Sequence, residues 1–247
     1  MFKSNFLFIL LFGVAFFEGH IYSQNLTVTY KTESTIDFTL EFDRLRDNNK
    51  TVLNQKMGQL TDQALAIADQ SIYNLEILGN LSYFYLNEEL QNEANDEMVN
   101  KLAQIFSNKG TFYQDVEKKI IIEKVSTGDA LIAYDFDFYE WELTTETQDI
   151  LGVTCYKATT YYEDKHPMTG AAIPREITVW YAPDLPAYFG PQGYGGLPGL
   201  ILKKCQSGKC FVASKIVKES NEIIMPKGEL LSREKYQQKL KDIKLGF

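Results

Sequence analysis

A chain of 247 residues with 45% hydrophobic content is long enough for one large domain or two small ones, and nothing in its middle resembles a linker. One domain over residues 24–247 is the simpler expectation. A formal net charge of -8 and a pI of about 4.9 disfavour nucleic-acid backbones and anionic membrane surfaces as partners.

The first residues set the address. Lys3 supplies a positive start, Phe6 to Phe17 an apolar run of about a dozen residues, and Ile21-Tyr22-Ser23 a cleavage signal before Gln24. The run is shorter than the ~20 residues a spanning helix needs, so a signal peptide cut near Ser23 is expected, with a permanent anchor as the open alternative. After cleavage no transmembrane span remains. No Cys lies in this segment, which excludes a lipoprotein anchor. The mature chain is then periplasmic or secreted.

Leu26 to Tyr30 and Ile36 to Phe42 alternate apolar and polar residues and read as strands. From Thr51 to Gln70 the spacing lengthens: Leu53, Met57, Leu60, Ala64, Ile67 and Ala68 form the apolar stripe of a helix packed across a sheet. Period two returns over Tyr73 to Leu86, broken by a turn at Gly79-Asn80. Glu88 to Ser107 is a second helix, striped by Leu90, Ala94, Met98, Leu102 and Ile105, with acids gathered in its first half as the helix dipole favours.

From Thr111 onward the pattern is of strands. Phe112–Val116, Lys119–Lys124 and Ala130–Leu143 read as a meander, Cys155–Tyr162 and Arg175–Ala182 as a hairpin, and Leu200–Lys204 with Phe211–Lys218 as a last pair. Within Ala130–Leu143 the inward parity switches near Tyr139, which predicts a bulge that turns Trp141. The polar tail from Leu230 to Leu245 reads as a docked or fraying helix. The whole is α+β: a curved, mostly antiparallel sheet packing its apolar face on two helices of the N-terminal half. That layout resembles the half-barrel of the LolA/LolB lipoprotein carriers.

The segment Gly195 to Leu202 anchors this reading. Pro198 and Gly199 suit the two central positions of a type II turn, with Gly199 at positive φ, and Leu200-Ile201-Leu202 then enters the core. The hexapeptide Gly196-Leu197-Pro198-Gly199-Leu200-Ile201 is the signature of the GLPGLI family of Bacteroidetes-type exported proteins, which the chain resembles over roughly residues 112 to 217. Trp141-Glu142-Leu143, Ile150 to Thr159, Val179 to Pro186 and Gly190-Pro191 follow the family's order and spacing, although the family usually carries an aromatic where Val153 stands. The resemblance implies an exported protein of unestablished activity and brings no catalytic residues.

Cys205 and Cys210 flank a four-residue hairpin connection and can face each other across paired strands, so a disulfide is expected, with two reduced thiols as the alternative. Cys155 is left over, either a small buried hydrophobe or a reactive thiol. The chain has two histidines: His20 leaves with the signal peptide and His166 precedes Pro167 in a predicted turn. No phosphate loop, metal-ligand motif or nucleophile elbow is present, so no catalytic residue, metal or cofactor is assigned. Asp135 and Asp137, two apart on a predicted strand, carry the best residual argument for a hydrolase, against the simpler reading of the wet face of that strand.

Aromatic residues make up 13% of the chain. Trp141, Trp180, Tyr181, Tyr188, Phe189 and Tyr194 are the candidate ligand-binding set, against the simpler reading of an aromatic core. The Pro/Gly-rich connection from Ala182 to Gly199 is then a lid or binding loop, or else a cover for the sheet edge. Three functions follow: a non-enzymatic carrier of an apolar or extended ligand such as a lipid or peptide; an interaction module for an outer-membrane protein; and a carboxylate hydrolase.

Overall fold

The computed structural model describes residues 25–34, 52–87, 96–107, 110–125, 129–137, 139–165 and 172–245. The expected signal peptide, the strand Ile36–Phe42, the start of the second helix and His166 lie outside the described residues.

Among the described residues twelve strands form a single sheet, antiparallel except where the last strand meets β6. They are β1 (Asn25–Ser34), β2 (Ile72–Leu78), β3 (Leu81–Leu86), β4 (Thr111–Asp115), β5 (Ile120–Lys124) and β6 (Leu131–Asp135), then β7 (Glu142–Ile150), β8 (Val153–Lys165), β9 (Ala172–Ala182), β10 (Leu200–Gln206), β11 (Lys209–Val217) and β12 (Leu230–Leu231). The order across the sheet is β12-β6-β5-β4-β3-β2-β1-β11-β10-β9-β8-β7. Two meanders therefore meet at β1, which pairs with β2 on one side and β11 on the other.

This order forces the sheet to curl. Successive strands β6 and β7 stand near opposite edges, which in a flat sheet of this order would be about 48 Å apart. The chain between Asp135 and Glu142 reaches at most ~25 Å. The sheet must bend back on itself, and it stays open between β12 and β7.

The core lies within this curl. Val28, Tyr30, Tyr73, Leu75, Phe84 and Phe211 centre the larger cluster, with Tyr73 stacked on Phe84 at 5.4 Å. A smaller cluster holds Ala158, Ile177, Val179, Tyr181, Tyr194, Leu197 and Ile201. Strand β10 is the seam between them: Leu200 and Leu202 belong to the first and Ile201 to the second. Burial of both faces explains why its sequence is a continuous apolar run.

Three helices are described: α1 (Val52–Ala68), α2 (Glu97–Phe106) and α3 (Arg233–Leu245). The sequence placed the first two across the sheet, but α1 and α2 pack on each other, with Ala64, Val99 and Ala103 at the centre of a separate cluster. Polar bonds tie the pair to the sheet: Thr32 Oγ1 donates to Asp69 O at 2.9 Å, and the Ser71 and Ser107 hydroxyls meet at 2.9 Å. The apolar stripe of α2 also differs by phase. Asp96 caps the helix by accepting from Met98 N at 2.8 Å, so Val99, Leu102, Ala103 and Phe106 face α1 and Met98 is exposed.

The expected single strand Ala130–Leu143 is two elements. β6 ends at Asp135, and the backbone turns at Phe136, whose N–H donates to Lys119 O at 3.1 Å. Asp135 is thus a strand end and Asp137 a turn residue, not two positions of one strand face. Strand β7 went unread beyond Leu143 because Glu-Leu-Thr-Thr-Glu-Thr-Gln-Asp-Ile shows no apolar alternation. Its acids suit a sheet edge that must not pair with another chain.

Candidate functional site

The connection from Pro183 to Gly199 packs against the sheet with much of its length buried, while Pro183, Asp184, Pro186, Tyr188, Gly196 and Pro198 stay exposed. Ala187, Phe189, Pro191, Tyr194 and Leu197 are buried. Backbone bonds fix its path: Leu200 N donates to Leu185 O at 2.9 Å, Ile201 N to Phe189 O at 3.0 Å, and Gly196 N to Tyr188 O at 3.0 Å. A single 3-10 turn at Pro191–Gly193 carries Gln192 and Gly193 in the left-handed region, φ 58° and 76°.

Gly199 does not take the positive φ expected of it; that conformation falls at Gly196, φ 82°. Gly199 is required for another reason. A Cβ there would sit 2.3 Å from Ala182 O, so the chain leaving β9 and the chain entering β10 approach closely only at a glycine.

Long-range polar bonds hold the connection in place. Gln114 on β4 donates through Nε2 to Gly193 O at 3.0 Å while its Oε1 accepts from Ser82 at 3.0 Å. Trp141 Nε1 donates to Gly195 O at 2.9 Å. The two halves of the sheet are joined through this segment.

A cavity of about 250 Å³ lies between the Gln192–Tyr194 turn and strands β4 to β6. Phe112 and Ile121 give it an apolar wall, and Tyr139, stacked on Tyr194 at 4.6 Å, an aromatic one. Glu123, Tyr134, Gln192, Gln206 and Arg233 make up the polar lining. The Tyr134 hydroxyl donates to Glu123 Oε2 at 2.5 Å, and burial together with that carboxylate holds its ionisation well above the usual tyrosine range. A second cavity of about 300 Å³, lined by Tyr188, Phe136 and Asp137, shares Tyr139 with the first.

Lys204 on β10 stands directly behind the first cavity. It is 2% exposed, and its Nζ donates to Gln192 Oε1 and Gln206 Oε1, both at 2.7 Å. The ammonium also lies 4.6 Å from the centre of the Tyr194 ring. Loss of water pushes its pKa down to about 7, and the charge of Lys209 adds to the effect.

The six aromatic candidates divide. Tyr194 and Trp141 come together with Tyr139, and Tyr188 is exposed at the second cavity. Phe189 is in the main core, Trp180 packs at its margin, and Tyr181 belongs to the smaller cluster. Cys205 and Cys210 form a disulfide and are direct cross-strand partners. The connection between them is shorter than expected, a two-residue turn with Ser207 and Gly208 at φ 49° and 79°. Cys155 is fully buried, and desolvation pushes its thiol up to about 11, the opposite of what a nucleophile needs.

Sequence reasoning did not find Glu123, Tyr134, Gln192, Lys204, Gln206 or Arg233. One signal was available: Lys204 follows the buried run Leu200-Ile201-Leu202 on the same strand, two residues after Leu202. Among the described residues no three His, Cys, Asp or Glu side chains come together as a metal site, and no helix is long and apolar enough to cross a membrane.

Fold and site together define a curled, unclosed β-sheet domain plugged by its own β9–β10 connection. A family model described as a protein of unknown function (Porph_ging) matches residues 163–203, a span that includes Gly196 to Ile201. No curated protein matches. Two solved structures of PNGF-II, in the C2 and P21 space groups, are similar in fold at 15% and 14% identity, with TM-scores of 0.50 and 0.51. They match over 87% and 89% of this chain, which spans about a third, 32% and 34%, of theirs.

Proposed function

We propose that this chain is an exported, non-enzymatic binding protein of the cell envelope, whose ligand enters the cavity beside the Gln192–Tyr194 turn. The observation that carries the reading is the convergence there of a tyrosine stack with charged and amide side chains from β5, β10, α3 and the connection, and with the Tyr134 hydroxyl of β6. At about 250 Å³ the cavity falls near the lower end of ligand pockets. It suits a small molecule or the end of an extended one better than a whole lipid chain. The reading draws on an analogy of shape with the half-barrel of the LolA/LolB carriers, with the difference that residues 183–199 pack against the sheet. The hydrolase alternative loses the paired geometry of Asp135 and Asp137 on which it drew.

Export is part of the proposal, and N-terminal sequencing of the mature protein should begin at Gln24. The decisive experiment is native mass spectrometry of protein purified from its own envelope. A discrete extra mass, lost on denaturation and reduced by Tyr139→Leu, is the expected result; a bare protein mass overturns the carrier reading. The interaction-module reading then takes its place.

A further inference from the structure

Lys204 is the only buried cation among the described residues, and no carboxylate pairs with it. Withdrawing an ammonium from water costs several kcal/mol unless a charge of opposite sign offsets it. Here two neutral amide oxygens and the ring faces of Tyr194 and Phe211 offset it only in part. Both amides also line the cavity, so the uncompensated charge lies one side chain behind its wall.

The wall itself is biased toward donors. Gln192 turns Oε1 to Lys204, which leaves its Nε2 without a protein partner among the described residues and at the cavity lining. Arg233 lines the same space. Glu123 is the opposing charge, and its Oε2 is engaged by Tyr134. With the Lys204 amine about half charged near pH 7, the positive charge of Arg233 and Lys204 together exceeds the single negative charge of Glu123.

We propose that the cavity is a receptor for a carboxylate: the acid group lies against Gln192 and Arg233 with the Lys204 ammonium behind it, and an apolar or aromatic body rests on Phe112, Ile121 and Tyr139. A single negative charge matches the site, because Glu123 opposes a dianion. This deepens the binding reading above by naming the ligand class, and it rests on that reading of the cavity.

A carboxylate bound there favours the charged form of Lys204, so binding near pH 7 takes up a fraction of a proton, up to about one half. Lys209 on β11 is the charged group that acts on the amine and the Tyr194 ring lies against it, while Glu123 on β5, Tyr134 on β6 and Arg233 on α3 line the cavity in front of it. Burial lowers the pKa of Lys209 as well, and a Lys204→Met variant separates the two lysines.

The test is calorimetric titration of the mature chain with benzoate, with its neutral counterpart benzamide, and with phenyl phosphate, in two buffers of different ionisation enthalpy at pH 7. Benzoate should bind at least about tenfold more tightly than benzamide, with a buffer-dependent heat that reports proton uptake. Lys204→Met should abolish the preference and the uptake. The wild-type preference and heats decide the matter even if that variant does not fold. Equal affinities, benzoate binding without proton uptake, or phenyl phosphate binding more tightly than benzoate overturns the proposal. If neither benzoate nor benzamide binds, the carboxylate proposal falls, while the binding reading is decided separately by the native mass of the envelope-purified protein.

Discussion

The β9–β10 connection and the α1–α2 pair reverse what their local structure would suggest. Residues 183–199 contain one 3-10 turn and no other helix or strand, yet they hold Phe189 and Leu197 at 2% and 1% exposure and bond to β4, β10 and Trp141. The helices are regular from end to end, but their apolar contacts form a satellite cluster around two alanines and a valine of the α1–α2 seam. Stability in this fold follows burial and cross-sheet bonding, not regularity. An irregular segment can do this only if its backbone groups find partners indoors, which the bonds of Leu185, Ala187, Gly196, Leu200 and Ile201 supply.

The sharpest way to break the contrast is to empty the plug. Phe189→Ala removes a ring from the main core and should cost about 3–5 kcal/mol in urea unfolding, with loss of one cooperative transition for the whole sheet. A cost below about 1 kcal/mol would mean that the connection merely lines the curl. Gly199→Ala should follow at about 3 kcal/mol, because the added Cβ meets backbone at Ala182 and neither strand can yield without breaking its pairing. If it proves neutral, the close approach of β9 and β10 is not what that glycine serves.

Much of this division was legible in the sequence, and the illegible part has physical causes. Strands with one buried face announce themselves by alternation, and the Gly/Pro-rich stretch before Leu200 marked a place where the chain does something special. Its destination was hidden, because Gln114 and Gln192, which hold it, look like surface residues until the curl brings them inside. Lys204 was hidden for the same reason: its partners are amides, one of them twelve residues away. β7 carries no apolar period because it is an edge, and the phase of α2 depends on a cap at Asp96 rather than on composition. Patterning reveals which residues leave water; it does not reveal which distant polar group meets them there.

The satellite cluster gives the next prediction. Val99→Ala should cost about 2 kcal/mol from the lost methyl groups and the space they leave. Its effect should stay local: amide exchange should accelerate in residues 52–68 and 97–106, while β1, β2, β10 and β11 keep their protection. Equal acceleration in both regions would show that helices and sheet unfold as one unit.

The smallest effect concerns the charge buried under the plug. Lys204 has a folded-state pKa near 7 and an unfolded value near 10.5, so above pH 7 the unfolded chain binds more protons at this residue than the folded one. Its contribution to stability is therefore unfavourable below pH 7 and is relieved as pH rises. Between pH 7 and 8.5 the wild type should gain on the order of 1 kcal/mol relative to Lys204→Met. Cys155 opposes the trend, since its raised pKa makes the folded state lose ground once free thiols ionise, but that loss sets in near and above pH 9. The comparison belongs at low millimolar buffer without carboxylate additives, which by the receptor proposal would bind and flatten it. Parallel stability curves for wild type and variant would mean that Lys204 keeps its proton across this range, and that the plug leaves the amine enough water to hold its charge.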